Sequence, residues 1–228
     1  PQTLRAMPEV MKRVDAVRQQ RLASSREATR GLAKVPTLFG EIRQPKRSYL
    51  AIPEVSSERR LYIPVAFLSA EIIASNKLYT ISQADLFTFG ILSSAMHMAW
   101  VRQVSGRLES RFQYSGKIVY NNFPFPEAPS EQQRAAVEAA AQAVLDARKQ
   151  FPDATLADLY DPLTMPPALA KAHAALDRAV DRCYRSQPFE NDRQRVEHLF
   201  SLYEKLTAPL LPAVPQGRRK RQRVSPAR

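Results

Sequence analysis

The chain predicts an α+β fold: a long N-terminal helix, a small mixed or antiparallel β region around a buried helix, and a three-helix C-terminal bundle. Three observations carry this. Apolar residues recur at helical spacing at both ends, short aromatic and β-branched runs fill positions 47 to 81, and an apolar stretch of helix length precedes a run of alternating character.

Met7, Val10, Met11, Val14 and Val17 form an apolar stripe, with Lys12, Arg13, Arg18, Arg21, Arg26 and Arg30 largely off it. The pattern predicts one helix over about residues 8–34, basic on its outer side and ended by Gly31 and Pro36. RSYLAIP (47–53), RLYIPVAF (60–67) and KLYTI (77–81) read as strands, and Pro53 and Pro64 predict edges or bulges. Lys46, Arg47, Arg59 and Arg60 fall at strand ends.

Ser82 and Asp85 have the spacing of a capping box before Leu86, Phe89, Ile91, Leu92, Ala95, Met96, Ala99 and Trp100. They predict one buried helix, shorter than the roughly 20 residues a bilayer span needs. His97 and Met98 within it read as packing. After Gly106 the period becomes two, which sets Leu108, Ser110, Phe112 and Tyr114 on one side and Glu109, Arg111 and Gln113 on the other. An acceptor, a forked cation and an amide are the side chains that read base edges: Glu accepts from cytosine N4, Arg grips guanine O6 and N7, Gln pairs with adenine. The solvated face of an edge strand fits the same pattern. Asn121 and Asn122, followed by Phe123-Pro124-Phe125-Pro126, predict a turn that bounds a domain.

Beyond it, Ser130 caps a helix carrying Val137, Ala140, Ala141, Val144, Leu145 and Phe151, closed by Pro152. Leu169, Ala172, Leu176, Ala179, Val180 and Cys183 form a second stripe, and Val196, Leu199, Phe200, Tyr203 and Leu206 a third. Three such helices predict a small bundle. The domain reading is residues 1–126 with the N-terminal helix, a C-terminal helical domain over 127–215, and a disordered basic tail over 216–228.

With 228 residues and 44% hydrophobic content the chain is globular in composition. Its net charge of +12 is uneven: 11 Lys and Arg against 4 acids over residues 1–47, 7 against 6 over 48–129, 10 against 12 over 130–215, and 6 against none in the tail. Such end-loading points to a polyanionic partner, nucleic acid before membrane, because no helix joins a large apolar face to a basic one. A single cysteine, Cys183, excludes an intramolecular disulfide and suits the cytoplasm. No signal peptide or membrane span is read, and the opening at Pro1 suggests a piece of a longer polypeptide. The six glycines, at 31, 40, 90, 106, 116 and 217, form no cofactor turn or phosphate loop, and His173 and His198 lack ligand-spaced neighbours. No catalytic, cofactor or metal site is read in this chain.

Three stretches then carry a resemblance: IPEVSSERRLYIPVAFLSAEIIASNKLYTI, FGILSSAMHMAWVRQVSGRLESRFQYSGKIVYNNFPFPE, and LADLYDPLTMPPALAKAHAALDRAVDRCY. Together with LASSREATRGLAKVPTLFGEIRQP they resemble the C-terminal part of the MmeI-like single-chain restriction and modification enzymes and related adenine-specific DNA methyltransferases, over roughly residues 8–185. The resemblance implies a target recognition domain followed by a C-terminal helical domain. It also implies double-stranded DNA as partner, and an upstream domain of the same polypeptide that binds S-adenosylmethionine and methylates a flipped adenine. The family's Asn/Asp-Pro-Pro-Tyr motif is missing here, and Met165-Pro166-Pro167-Ala168 does not substitute for it. Base-reading positions in the family fall at two residues separated by one, which match Glu109 and Arg111, with Gln113 beyond. Lys46, Arg47, Arg59, Arg60, Arg102, Arg107 and Lys117 become candidate phosphate contacts. The competing expectation is a basic module that binds RNA or protein and reads no DNA sequence.

Overall fold

A computed structural model describes residues 2–208, which form two compact units, one ending at Pro45 and one starting at Lys46. The basic tail lies outside the described residues, as do positions 209–215 of the expected helical domain.

In the first unit α1 (Gln2–Arg5) leads into α2 (Pro8–Leu22), and the helix expected over 8–34 breaks there. A short α3 (Glu27–Gly31) and a 3₁₀ turn (Leu32–Lys34) follow. Serine makes the break: Ser24 Oγ accepts from the Arg26 N–H at 3.2 Å, offering the backbone a local alternative to the helix. Arg30 donates to the Ser24 and Ser25 carbonyls at 3.0 and 2.9 Å. Arg21 donates to the carbonyls of Leu32, Val35 and Leu38 at 2.9, 3.0 and 2.8 Å. Two of the expected outward cations therefore fold the chain back on itself.

The second unit is organised on β1 (Tyr49–Pro53), which lies between β3 (Ala66–Leu68) and β4 (Leu78–Ser82) and runs antiparallel to both. Residues 49–52 are buried, so β1 is a central strand, and Pro53 closes it instead of marking an edge. The run 60–67 becomes strand only at Ala66, because Pro64 has no ladder donor and the Val65 N–H turns back to the Ile63 carbonyl at 2.9 Å.

Through Glu54 the chain passes into β2 (Val55–Ser56), an edge of a second antiparallel sheet ordered β2-β6-β5, with β5 at Gly106–Leu108 and β6 at Arg111–Gln113. Glu54 stitches the sheets together: its N–H donates to the Lys77 carbonyl at 2.9 Å and its carbonyl accepts from the Tyr114 N–H at 2.7 Å.

Between the sheets in sequence, the expected single helix is two. Ser82 belongs to β4, Gln83 turns the chain at φ 60°, and Asp85 is the cap of α4 (Leu86–Leu92), accepting from the Thr88 N–H at 2.8 Å. Ser94 caps α5 (Ala95–Val104), and Asp177, 82 residues away, accepts from the Ala95 N–H at 2.7 Å. Asp177 also accepts from the Tyr62 hydroxyl at 2.7 Å, and burial pushes its carboxyl above the ordinary 3.8.

The C-terminal part holds α6 (Glu131–Lys149), α7 (Leu156–Leu159), α8 (Pro167–Tyr184) and α9 (Asp192–Thr207). Ser130 and Gln133 close the reciprocal box expected at the start of α6. One core runs from Leu50 and Ile52 in the sheet through Phe89, Met96 and Trp100 to Val137, Leu176 and Leu199, with α4 and α5 as its shared centre. Buried Arg148 of α6 has no carboxylate partner among the described residues. It donates instead to the Val65 carbonyl at 2.8 Å and to Tyr160, whose hydroxyl meets His173 Nε2 at 2.7 Å. No described helix is long and apolar enough to cross a membrane.

Gly90 marks the closest approach. A Cβ there would lie 2.7 Å from Val137 Cγ1 and 3.3 Å from Ala141 Cβ and Leu176 Cδ1. Gly90→Ala is expected to lose about 1–3 kcal/mol to overpacking, offset by about 1 kcal/mol of helix propensity. Adding Val137→Ala should relieve the clash. Urea midpoints check this, and a Val137→Ala background in which Gly90→Ala is no better tolerated than in the parent would refute it.

Candidate nucleic-acid interface

Only two residues separate Leu108 from Arg111, and those two pair across the ladder, as do Arg107 with Phe112 and Gly106 with Gln113. The stretch is therefore a two-residue β-hairpin with Glu109 and Ser110 at its tip, and not the continuous alternating strand expected. Glu109 takes φ 58°, the left-handed value demanded of the first residue in a II′-type turn and most readily met by glycine.

The face assignment changes accordingly. Leu108 pairs with Arg111 and shares its side, instead of joining Phe112 and Tyr114. Arg111 and Gln113 stay together, and Glu109 joins them from the turn, its Oε2 2.8 Å from Arg111 Nη2. Both members of that pair are exposed, so it adds little to folding and leaves both groups available to a ligand. Gln113 is half-buried, opposite Val55 and Gly106.

The other side of the hairpin anchors it. Phe112 and Tyr114 are buried, and the Tyr114 hydroxyl lies 3.1 Å from Nε2 of His97 on α5. Burial alone depresses His97 to about 3. Its Nδ1 has no hydrogen-bond partner among the described residues, so a second ring proton would find no acceptor.

The left-handed tip makes a stability prediction. Glu109→Gly should match or exceed the parent by up to about 1 kcal/mol, because the relief of backbone strain is set against glycine's larger unfolded-state entropy. Glu109→Val adds a β-branch and should fall below the parent by about 1–2 kcal/mol. Thermal midpoints that rank valine above glycine would contradict the turn geometry.

The other expected cations divide. Lys46, Arg47, Arg59 and Lys117 are exposed. Arg60 is half-buried and reaches Ser56 Oγ at 3.4 Å. Arg107 is exposed, with its guanidinium stacked over the Phe112 ring at 4.1 Å and donating to the Arg102 carbonyl at 3.3 Å. Arg102 does not stand with them: it binds Asp192 at 2.5 Å and holds α5 to α9. That bond spans 90 residues, and no local pattern announces it.

The chain leaves β6 through Tyr114 into a π-turn at Gly116–Tyr120, whose Lys117 and Ile118 carbonyls accept from the Asn122 amide at 3.0 and 3.1 Å. Asn122 thus shapes the turn as expected. Between this turn and β4 lies a groove of about 570 Å³ walled by Tyr79, Tyr114 and Tyr120, with Lys117 and Asn121 in its lining and no acidic residue. Sequence reading missed this groove, since its walls come from separate runs. No group of three His, Cys, Asp or Glu among the described residues could hold a metal ion.

A hairpin anchored by Phe112 and Tyr114 thus carries an exposed acid, an exposed guanidinium and a half-buried amide on one face. The family described as MmeI, target recognition domain, matches residues 1–127, and MmeI, C-terminal domain, matches residues 129–211; the chain belongs to this family. DNA methyltransferase A of Bacillus subtilis (strain 168) is 39% identical over 204 residues, covering 90% of this chain and 23% of that protein. The solved structure of the Type IIL restriction-modification enzyme MmeI in complex with DNA matches with a TM-score of 0.82 at 48% identity, over 90% of this chain and 27% of that one. The chain spans about a quarter of the length of each of these relatives.

Proposed function

We propose that the chain is the sequence-reading portion of a cytoplasmic, restriction-modification-type N6-adenine DNA methyltransferase. The observation that carries the reading is the exposed Glu109–Arg111 pair on a left-handed hairpin tip, in a domain 48% identical to one solved with DNA. Glu109 would accept from a cytosine N4 amine, Arg111 would donate to the O6 and N7 of its paired guanine, and Gln113 would contact an adjacent base. Lys46, Arg47, Arg59, Arg60, Arg107 and Lys117 would hold phosphates and set the register. Arg102, engaged by Asp192, is left out of that set.

S-adenosylmethionine belongs to the upstream part of the polypeptide in this reading. In support, the lining of the groove beside the hairpin offers no carboxylate for a ribose.

The test is binding of the full-length enzyme to target and scrambled duplexes across a salt series. Lys46→Gln or Arg59→Gln should flatten d log K/d log[salt] by about one unit and leave the preference for the target unchanged. Equal affinity for target, scrambled duplex and RNA would overturn the reading in favour of a nonspecific module.

A further inference from the structure

The unit that ends at Pro45 buries almost nothing of its own. Among its described residues only Ala33 is buried, while Val35, Leu38, Phe39 and Ile42 are 41, 48, 70 and 69% exposed. Folded units near this size usually need a disulfide, a metal or a partner, and large apolar side chains gathered on an exposed surface mark interaction sites. This backbone is ordered by construction: the Arg21 guanidinium spans the Leu32, Val35 and Leu38 carbonyls, and Arg43 pairs with Glu41 at 2.7 Å. The clamp sets the turn and holds its apolar side chains in water.

We propose that Leu38, Phe39 and Ile42, displayed by the turn that Arg21 clamps, dock on the upstream, methyltransferase-bearing portion of the same polypeptide. Protein is the occupant that fits, because aliphatic and phenyl side chains offer a phosphate or a base edge no hydrogen bond. Length points to the same chain: the relatives are about four times longer, and the family matched over residues 129–211 is described as a C-terminal domain. A tethered partner is held at high effective concentration, so a patch of three side chains suffices. The inference rests on the proposed function only in placing the methyltransferase upstream in one polypeptide.

The experiment uses the full-length enzyme with p-benzoylphenylalanine in place of Phe39, irradiated free and with target duplex, followed by mapping of the crosslinked peptide. A crosslink to the segment preceding residue 1 is the expected result. A crosslink to residues 46–208, to a second copy or to DNA overturns the proposal, and so does none. In parallel, Phe39→Glu with Ile42→Glu should slow methylation by about 10- to 100-fold by misplacing the reader, with the pattern of methylated sites unchanged. An unchanged rate or an altered pattern overturns it. The crosslink does not depend on base reading, so a failed Glu109 and Arg111 experiment would leave this result standing.

Discussion

In the full-length enzyme, Glu109→Lys with Arg111→Asp is expected to invert the preferred base pair at one position of the recognition site and to leave the other positions alone. The pair sits on one exposed hairpin tip with its charged atoms 2.8 Å apart, an arrangement that suits the two bases of a single pair. Lysine in place of the acceptor prefers guanine acceptors, and aspartate in place of the guanidinium prefers a cytosine amine, so a C·G preference becomes G·C. Each contact discriminates by about 1–3 kcal/mol, or about 5- to 150-fold. Folding should be indifferent, because both side chains are exposed and lysine tolerates the left-handed tip about as well as glutamate. Sequencing of methylated sites reads the outcome. Relaxed preference everywhere, or no change anywhere, would remove the pair from base recognition.

The second large effect is on stability at mildly acid pH. His97 and His173 are buried, and burial depresses each to about 3, with Arg148 adding to the effect at His173. Between about 6.5 and 3 the unfolded chain binds protons that the folded chain refuses. Stability therefore is fully present above 6.5 and falls as pH drops, by about 1.4 kcal/mol per unit for each histidine. At pH 4.5 that amounts to roughly 3 kcal/mol apiece. Asp177 acts in the opposite sense: its raised pKa adds stability that is lost as pH rises through the window above 3.8. The comparison that isolates the histidine is thus the thermal midpoint of the parent chain against His97→Gln from pH 7.5 to 4.5. The variant should start lower and fall less steeply. Parallel curves would mean that His97 titrates normally in the folded protein.

How much was readable in advance depended on how local each cause was. The start of α6, set by Ser130 and Gln133, and the strands β1 and β4 follow from residues within a few positions of each other. The hairpin hid because its turn lacks the usual Asn-Gly or Gly-first signature, and a left-handed glutamate leaves no mark in an alternation pattern. The break between α4 and α5 hid for the opposite reason: apolar spacing continues through it, and Asp177 contributes from a distant helix. Arg21 and Arg30 read as outward surface charge, and Arg102 as a phosphate contact, until their carbonyl and carboxylate partners are seen. In the candidate site the residue types were legible while their arrangement was not, since register decides the face and the turn decides the register.

Because the chain reverses at position 109 with inverted handedness, whatever amino acid occupies that spot must endure a conformation that penalises branching next to the main chain. Valine, isoleucine and threonine are thereby disfavoured, while unbranched acids, amides and amines are tolerated about equally. On the proposed reading, new target preferences should accordingly arise by swapping among a short vocabulary of side chains at the loop apex, with no retuning of the scaffold beneath it.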